Sequence, residues 1–450
     1  QSRVSSLNSV DVADLHLNWK RKVASRNHPL VTTISSRDRT TMSGDANKNA
    51  TLPDFIRKAV SEVATTKLGF SEESCQITYK PGSNCNGLIG EIHQATLREG
   101  DRSEDLFCKI PPLDPARREQ FNSAELFERE ILLYSEVLPA LFEFQREKGI
   151  PEEDGFFGVP KCYYTHYDAE RSESLILMEN LRSRDLRMLN KLESVDYDHA
   201  RLLMITLGRL HGLSFAARDQ KPELFKRLQL ADVLIKGIKA SEPLIAMFSS
   251  ALDGAMSLLE PEEESVRERM ETLKRDFVPN LEYCLDGANA EPYAVMNHGD
   301  CWVNNLMFGY KNEQPSELVL LDWQLARYTS PALDLSYFLF CCTDEVFREK
   351  YYDEMLHIYH TTLTDFLTQL GSDGAKLFPF EALSDQLRKF GKFVLLMGAF
   401  DIPVLCTDPA DMPELAGDLA EAFAKSPQAQ QRYAYRMGGV IRDAVRLGIL

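Results

Sequence analysis

The chain is poor in positive charge and in long apolar segments. Its 450 residues include 51 Lys and Arg against 68 Asp and Glu, which gives a formal net charge of −17. This balance disfavours binding to nucleic acid or to anionic membrane surfaces through bulk electrostatics. The sequence also lacks an apolar run of the roughly 20 residues that a membrane-spanning helix needs. We therefore expect neither nucleic acid nor a membrane among its partners.

The sequence also lacks the cysteine spacing of a disulfide framework or a zinc site. Its nine cysteines are scattered, and no two of them form a C-x-x-C pair. Such cysteines are typical of reduced thiols, so we expect a cytoplasmic protein. His357 and His360 could suggest a metal, but without a Cys or His cluster nearby we interpret them as ordinary helix histidines.

The first 41 residues differ from the rest in composition. They contain seven Lys or Arg against three Asp or Glu, are rich in Ser, Thr and Asn, and show no sustained apolar period. We expect residues 1–41 to be a disordered leader. Met42, which precedes a good helix pattern, is the expected start, and an Arg- and Ser-rich transit peptide is the alternative.

The apolar periodicity changes along the chain from strand-like to helical. A helix that begins at Leu52 and ends before Gly69 precedes a strand-rich part with one long helix, at 121–138. The strands of this part are predicted at 75–79, 89–97, 106–110, 161–167 and 174–178. Two further strands are predicted at 293–297 and 317–322, within a mostly helical part. Its helices are predicted at 198–218, 222–237, 243–259, 264–284, 331–342, 346–370, 380–398 and 411–445.

This pattern predicts an α+β fold with two lobes. Residues 42–180 would form a small β-rich N-terminal lobe, and residues 181–450 a large, mostly helical C-terminal lobe. The hinge is expected near residues 179–183. A pair of lobes joined by one hinge is the layout of an ATP-dependent phosphotransferase.

The chemical signal is the segment His298-Gly299-Asp300-Cys301-Trp302-Val303-Asn304-Asn305, followed by Asp322 after four apolar residues. Phosphoryl transfer needs an acid that orients the attacking hydroxyl and oxygen ligands for Mg²⁺. We predict Asp300 as that base, and Asn305 and Asp322 as metal ligands. The alternative is that both aspartates cap turns or pair with arginines.

Three further regions are predicted to bind the nucleotide. Lys109 lies within an apolar strand and needs an anion, and Glu130 borders the apolar stripe of the next helix, so we predict an ion pair between them. Ser83 and Asn84 belong to a Gly/Asn loop that could cover phosphates with its amides, although such a turn is also common in hairpins. Glu179 and Leu181 lie at the hinge, where backbone groups would hold adenine.

Other notable residues have mainly structural interpretations. Trp302 and Trp323 would pack the motif in place, with Trp302 the better candidate for a substrate contact. His211 is interpreted as a core histidine, and Asp334 as an anchor of the catalytic loop. The apolar segments 337–342 and 393–400 could line a pocket for a hydrophobic alcohol, but ordinary core packing also explains them.

Taken together, these motifs resemble the ecdysteroid kinase-like family, which is related to choline and aminoglycoside kinases. The resemblance extends from about Tyr79 to the C-terminus, and the HGD-x-W-x-N-N and Asp322-Trp323-Gln324 segments are its most specific parts. It implies a protein-kinase-like fold, ATP and Mg²⁺ as cofactors, and a small-molecule alcohol, such as a steroid, as substrate. Separately, we expect the enzyme to be a monomer. Cys301 departs from the leucine usual in the family.

Three alternatives remain open at this stage. A catalytically inactive nucleotide-binding scaffold is opposed by the intact acids and lysine. A choline or amino-alcohol kinase is opposed by the lack of a clear aromatic cage. A protein kinase is opposed by Gly299, which replaces the usual arginine, and by the absence of an A-P-E sequence after Asp322.

Overall fold

The N-terminal part of the fold is a five-stranded antiparallel sheet, with one helix before its first strand and a helical segment between its third and fourth strands. The computed structural model describes residues 52–82, 90–114, 118, 122–412 and 419–450. The predicted leader 1–41 and the loop residues Ser83 and Asn84 lie outside these ranges. Asp54–Leu450 make up one compact unit.

The sheet has the strand order β1-β2-β3-β5-β4. The strands are β1 (Gln76–Pro81), β2 (Glu91–Glu99), β3 (Arg102–Ile110), β4 (Cys162–Asp168) and β5 (Glu173–Glu179). Helix α1 (Asp54–Thr66) precedes them. In β3, the alternating residues Leu106, Cys108 and Ile110 are buried, as expected for one face of a strand. Lys109 therefore lies on the opposite face.

The helical segment between β3 and β4 contains a π-turn. Helix α2 (Ser123–Leu132) passes through a π-turn at Leu133–Val137 into α3 (Leu138–Glu147). This segment extends well beyond the predicted end at 138. The wide turn ends two residues before Pro139, whose missing N–H removes one helical hydrogen bond. Glu130 is on the buried side of α2.

The C-terminal part is mostly helical, as predicted. Its first helices are α4 (Tyr197–Gln220), α5 (Pro222–Leu228), α6 (Leu234–Ala240), α7 (Glu242–Met256), α8 (Glu264–Arg275) and α9 (Phe277–Leu285). They are followed by α10 (Ala332–Cys342), α11 (Glu345–Leu370), α12 (Gly374–Leu377), α13 (Phe380–Phe390), α14 (Phe393–Cys406), α15 (Leu419–Ala424) and α16 (Pro427–Arg446). The small lobe and the larger helical lobe expected from the sequence are confirmed, and the domain boundary at 180/181 stays a prediction.

Two small antiparallel pairs carry the chemical motif. Strand β6 (Val295–Asn297) pairs with β9 (Arg327–Thr329), and β7 (Leu306–Lys311) pairs with β8 (Gln314–Leu320). The prediction missed β7 and β9. The turn between β7 and β8 has positive φ at Asn312 and Glu313 (50° and 64°), which suits a two-residue hairpin.

Several predicted helices are wrong in extent. The segments 222–237, 264–284 and 380–398 each contain a break, and 411–445 is interrupted before Pro427. Ser426 caps α16 by accepting the N–H of Ala429 at 3.4 Å, and Pro427 is tolerated in the first turn because no intrahelical bond is expected of its nitrogen there. Apolar periodicity continues across such breaks and does not reveal them.

The cysteines and the helices of the described ranges have the following properties. The eight cysteines among these residues are all free. None of the helices in this part of the chain has both the length and the apolar character needed to cross a bilayer.

Candidate active site

The loop that carries Asp300 is fixed by a buried carboxylate from α10. Asp334 accepts the backbone N–H groups of His298 at 2.7 Å and Gly299 at 2.9 Å. It also lies 3.3 Å from Nε2 of the buried His211. Burial alone would raise the pKa of Asp334, but the hydrogen bond and charge of His211 and the Gly299 N–H hold it below its usual value. The anchoring role predicted for Asp334 and the core position of His211 are confirmed.

Gly299 is required by the shape of this loop. Its φ is +87°, and a Cβ at this position would lie 2.0 Å from the carbonyl oxygen of Leu325. The loop therefore approaches the segment after Asp322 so closely that only glycine fits. Arg327 adds a hydrogen bond of 3.3 Å to the Gly299 carbonyl and is itself paired with Asp232 at 2.9 Å.

Asp300 and Asn305 contact each other directly. A 3-10 turn at Val303–Asn305 brings Asn305 back toward the aspartate, and its Nδ2 donates to Oδ2 of Asp300 at 2.8 Å and to the Asp300 carbonyl at 3.0 Å. Asp300 is half-buried. Burial, followed by the charges of Asp322 and Asp401, raises the pKa of Asp300 well above its usual value.

Lys109 joins the two lobes. Its Nζ lies 2.6 Å from Oε2 of Glu130 and 2.8 Å from Oδ1 of Asp322. Burial would lower the pKa of Lys109, but the two carboxylates raise it above its usual value, so the lysine stays protonated. Burial raises the pKa of Glu130 to about 7 even though Lys109 opposes this. The ion pair predicted from the helix periodicity is present.

Asp322 is two residues beyond the end of β8 and has a left-handed backbone with φ 64°. The next residue, Trp323, is fully buried and packs against the ring of His298 at a centroid distance of 4.6 Å. Its indole N–H donates to the Leu320 carbonyl at 3.2 Å. Trp323 therefore packs the motif in place, as expected, and Asp322 faces Lys109.

The residues present fit a magnesium–nucleotide complex in their donor chemistry. The amide nitrogen of Asn305 is directed to Asp300, which leaves its amide oxygen available as a ligand, and Asp322 offers carboxylate oxygens. Within the described residues no three His, Cys, Asp or Glu side chains form a metal site by themselves. Two oxygen ligands are consistent with Mg²⁺, which proteins hold jointly with substrate phosphates.

The hinge residues are positioned by their neighbours. Glu179 ends β5, and its side chain accepts the Lys161 N–H at 2.8 Å and lies 3.2 Å from Arg184. Leu181 is buried against Leu186 and other apolar side chains. The predicted adenine contacts of Glu179 and Leu181 stay predictions, as do the phosphate contacts of Ser83 and Asn84.

Two residues beside Asp300 were missed as site residues. The hydroxyl of Tyr337 on α10 lies 3.4 Å from Oδ1 of Asp300 and donates to Oδ2 of Asp401 on α14 at 3.0 Å. Both residues fall in or next to segments that the sequence analysis assigned to core packing or a pocket wall. The sequence feature that could have revealed them is Asp401 itself, because it is the single charged residue in the apolar sequence of α14.

The architecture and the site define the class of this protein. A small antiparallel lobe supplies Lys109 and Glu130, a helical lobe supplies Asp300, Asn305 and Asp322, and the two sets meet. This is the bilobed protein-kinase-like fold predicted from the sequence.

The comparison with family models makes the assignment more specific. The model of the ecdysteroid kinase-like family matches residues 84–372, so the chain belongs to that family. No curated protein sequence matches the chain significantly.

The solved structures that are similar to the chain include three small-molecule kinases, each at low identity. A choline kinase from Cryptosporidium parvum Iowa II is 12% identical, with 88% of this chain and 97% of that chain covered and a TM-score of 0.43. A Plasmodium vivax ethanolamine kinase is 12% identical, with coverage of 85% and 88% and a TM-score of 0.40. The GDP complex of aminoglycoside 2'-phosphotransferase-IIIa is 14% identical, with coverage of 76% and 97% and a TM-score of 0.37.

Proposed function

We propose that this protein is an ATP- and Mg²⁺-dependent kinase that phosphorylates a hydroxyl group of a small molecule. The observation that carries the proposal is the contact of Lys109 with both Glu130 and Asp322, next to the bonded pair of Asp300 and Asn305. A positioned base, a lysine and two oxygen ligands for Mg²⁺ are the groups that phosphoryl transfer needs.

Each side chain has a distinct role in this proposal. Bound ATP would supply the γ-phosphoryl group, and Mg²⁺ held by Asn305 and Asp322 would neutralise its charge. Lys109, kept protonated by two carboxylates, binds the phosphates. Asp300 orients the acceptor hydroxyl and takes its proton as the bond from the alcohol oxygen to phosphorus forms and the bond to the ADP oxygen breaks.

We propose a hydrophobic alcohol, such as an ecdysteroid, as the acceptor. Helices α10 and α14 are the elements that approach Asp300 from the side of Tyr337, and both are almost entirely apolar. The ring of Tyr337 lies 6.2 Å from that of Phe393. The family to which the chain belongs is consistent with such an acceptor. We also propose that the enzyme acts as a cytoplasmic monomer.

The test is a phosphorylation screen with purified protein, Mg-ATP and a panel of steroids, sterol conjugates and amino alcohols. We expect at least one compound to gain the mass of a single phosphate. In the Asp300→Asn variant, we expect kcat to fall by about 10²–10⁴-fold because general-base assistance is lost. Full activity of this variant would refute the role of Asp300.

The same screen separates a kinase from an inactive scaffold. A scaffold would be stabilised against heat by Mg-ATP but would phosphorylate no compound of the panel. A choline or ethanolamine product, without a steroid product, would instead identify an amino-alcohol kinase.

A further inference from the structure

Helix α14 places one carboxyl group in apolar surroundings beside the proposed base. Asp401 is the single charged residue of Phe393–Cys406 and is only 8% exposed. Burial raises its pKa to about 7. A carboxyl group in such surroundings is unfavourable for stability unless it has a partner, so folding alone does not explain its presence.

Other buried acids show what Asp401 lacks. Four acidic residues are buried in the described part of the chain: Glu130, Asp334, Asp401 and Asp443. Glu130 is paired with a lysine, Asp334 with a histidine and Asp443 with two arginines. Asp401 has no basic partner among the described residues. The only hydrogen bond of its side chain to these residues is the one from Tyr337 to Oδ2, which leaves Oδ1 available as an acceptor.

The hydroxyl of Tyr337 indicates where a donor is needed. A phenol has one proton, and the shorter distance, 3.0 Å to Asp401 against 3.4 Å to Asp300, assigns that proton to Asp401. The phenol oxygen and Oδ1 of Asp300 then face each other as two acceptors. A hydroxyl placed between them can donate its single proton to Oδ1 of Asp300, and this is the position that the acceptor alcohol takes if Asp300 is the base.

We infer that Asp401 and Tyr337 form a second polar binding site for the acceptor, which takes a hydroxyl or protonated amine close to the reacting hydroxyl. One phenol oxygen contacts both carboxyl groups, so they lie within two hydrogen-bond lengths of each other. The two polar groups of the acceptor would therefore be on adjacent or nearby carbons. The substrate class is narrowed to diols and amino alcohols. This inference rests on the proposed function.

The experiment uses matched compounds that differ by one polar group. The probes are cyclohexane-1,2-diol, 2-aminocyclohexanol and cyclohexanol, together with a steroid that carries a vicinal diol and its monohydroxy analogue. Binding to the full chain is measured by calorimetry with Mg²⁺ and a non-hydrolysable ATP analogue, and phosphorylation is measured by mass. We expect the compounds with two polar groups to bind at least about tenfold more tightly, because an unpaired polar group in a site opposes binding.

Variants of the two residues assign this preference to the site. In Asp401→Leu and in Tyr337→Phe, the affinity of each compound with two polar groups should approach that of its monohydroxy analogue, so that the ratio of the two affinities falls toward one. Asp401→Asn keeps an acceptor oxygen but no charge, so it should retain part of the preference for the diol and lose that for the amine. This variant therefore distinguishes a hydroxyl from an ammonium group.

Two controls separate the inference from effects on folding. Tyr352→Phe removes the hydroxyl of another buried tyrosine, on α11, and should leave the ratios unchanged. Binding of the Mg-nucleotide should also persist in all variants, because Lys109 and Asp322 are untouched.

Equal binding of the paired compounds by the natural protein, or a preference that persists in Asp401→Leu and Tyr337→Phe, would overturn the inference. If the preference appears in binding but no compound is phosphorylated, the proposed function fails while the second site stands. If monohydroxy and dihydroxy compounds are phosphorylated equally well, the proposed function stands while the second binding site is refuted.

Discussion

The site has a proposed nucleotide side, with Lys109, Glu130 and Asp322, and a proposed acceptor side, with Asp300, Tyr337 and Asp401. The two sides hold their carboxylates in different ways. On the nucleotide side, Glu130 and Asp322 converge on one buried lysine within 2.8 Å. On the acceptor side, Asp300 and Asp401 are bonded to neutral groups, an asparagine amide and a tyrosine hydroxyl. Lys109 opposes the rise that burial causes in the pKa of Glu130 on the first side. On the second side, burial raises the pKa of both acids, and neither acid has a bonded cation.

This difference is consistent with the two proposed ligands. A triphosphate with Mg²⁺ brings charges of both signs, so its site needs a lysine and acids together. An alcohol brings uncharged hydroxyl groups, and a carboxylate or phenol oxygen can accept the proton of such a hydroxyl. The following experiments test each side separately, from the largest expected effect to the smallest.

Asp322→Asn should have the largest effect, on the nucleotide side alone. We expect kcat to fall by roughly 10³-fold or more, because the proposed ligand of Mg²⁺ loses its charge. The stabilisation by Mg-ATP in thermal unfolding should also be lost. Asp365→Asn, which removes an exposed carboxylate of α11, should behave like the natural protein. Retained magnesium dependence in Asp322→Asn would contradict the assignment.

Asp334→Asn should affect both sides, because they share the anchored loop. An amide nitrogen would face one of the two N–H groups that the carboxylate accepts now. We expect a loss of about 2–3 kcal/mol in the free energy of unfolding, measured in urea. The displaced loop should also lower kcat by about 10²-fold. Unchanged stability would show that the anchor is dispensable.

Glu130→Gln should weaken the nucleotide side moderately. Lys109 would keep Asp322 but lose its charged partner on α2, so the ammonium group is held less firmly. We expect kcat/KM for ATP to fall by about tenfold. Glu128→Gln, an exposed position of the same helix, is the matched control. Equal effects of the two substitutions on kcat/KM would contradict a role of Glu130 in nucleotide binding.

The smallest effect is a pH dependence of stability from the acceptor side. Burial raises the pKa of Asp401 to about 7 in the folded state, so folded protein binds a proton there that the unfolded chain has released. This proton binding contributes to the free energy of unfolding. The contribution is fully present below the ordinary aspartate pKa and is lost as pH rises through about 7, by at most about 1.4 kcal/mol per pH unit.

Urea unfolding of the natural protein and Asp401→Asn at several pH values between about 5 and 7 measures this contribution. The natural protein should lose more stability over this range than the variant. Tyr337, Asp300, Cys341 and Cys342 are the titratable groups that interact with Asp401, and all of them remain in the variant. Parallel pH profiles would show that Asp401 is ionised at low pH in the folded state.

Local patterns predicted much of this molecule. Apolar residues recur with a clear period in the strand of Lys109 and in the helix of Glu130. The ion pair of Lys109 and Glu130 could be inferred because Glu130 borders the apolar stripe of its helix. The anchoring by Asp334 was predictable from its position shortly after the motif. By contrast, β7 was missed because Leu306, Met307 and Phe308 adjoin the motif and form too short an apolar run. The break before Pro427 was missed because apolar spacing continues on both sides of it.

The sequence by itself determined the order of lobes, the residues of the motif and the identity of the lysine and its acid, because these depend on spacing within one segment or on one residue type. Only the tertiary structure decided that Asp401, one hundred and one residues after Asp300 in the chain, shares a tyrosine hydroxyl with it. No local period connects α10, α14 and the motif loop. Their proximity is set by the packing of whole helices, which no single segment of the chain encodes.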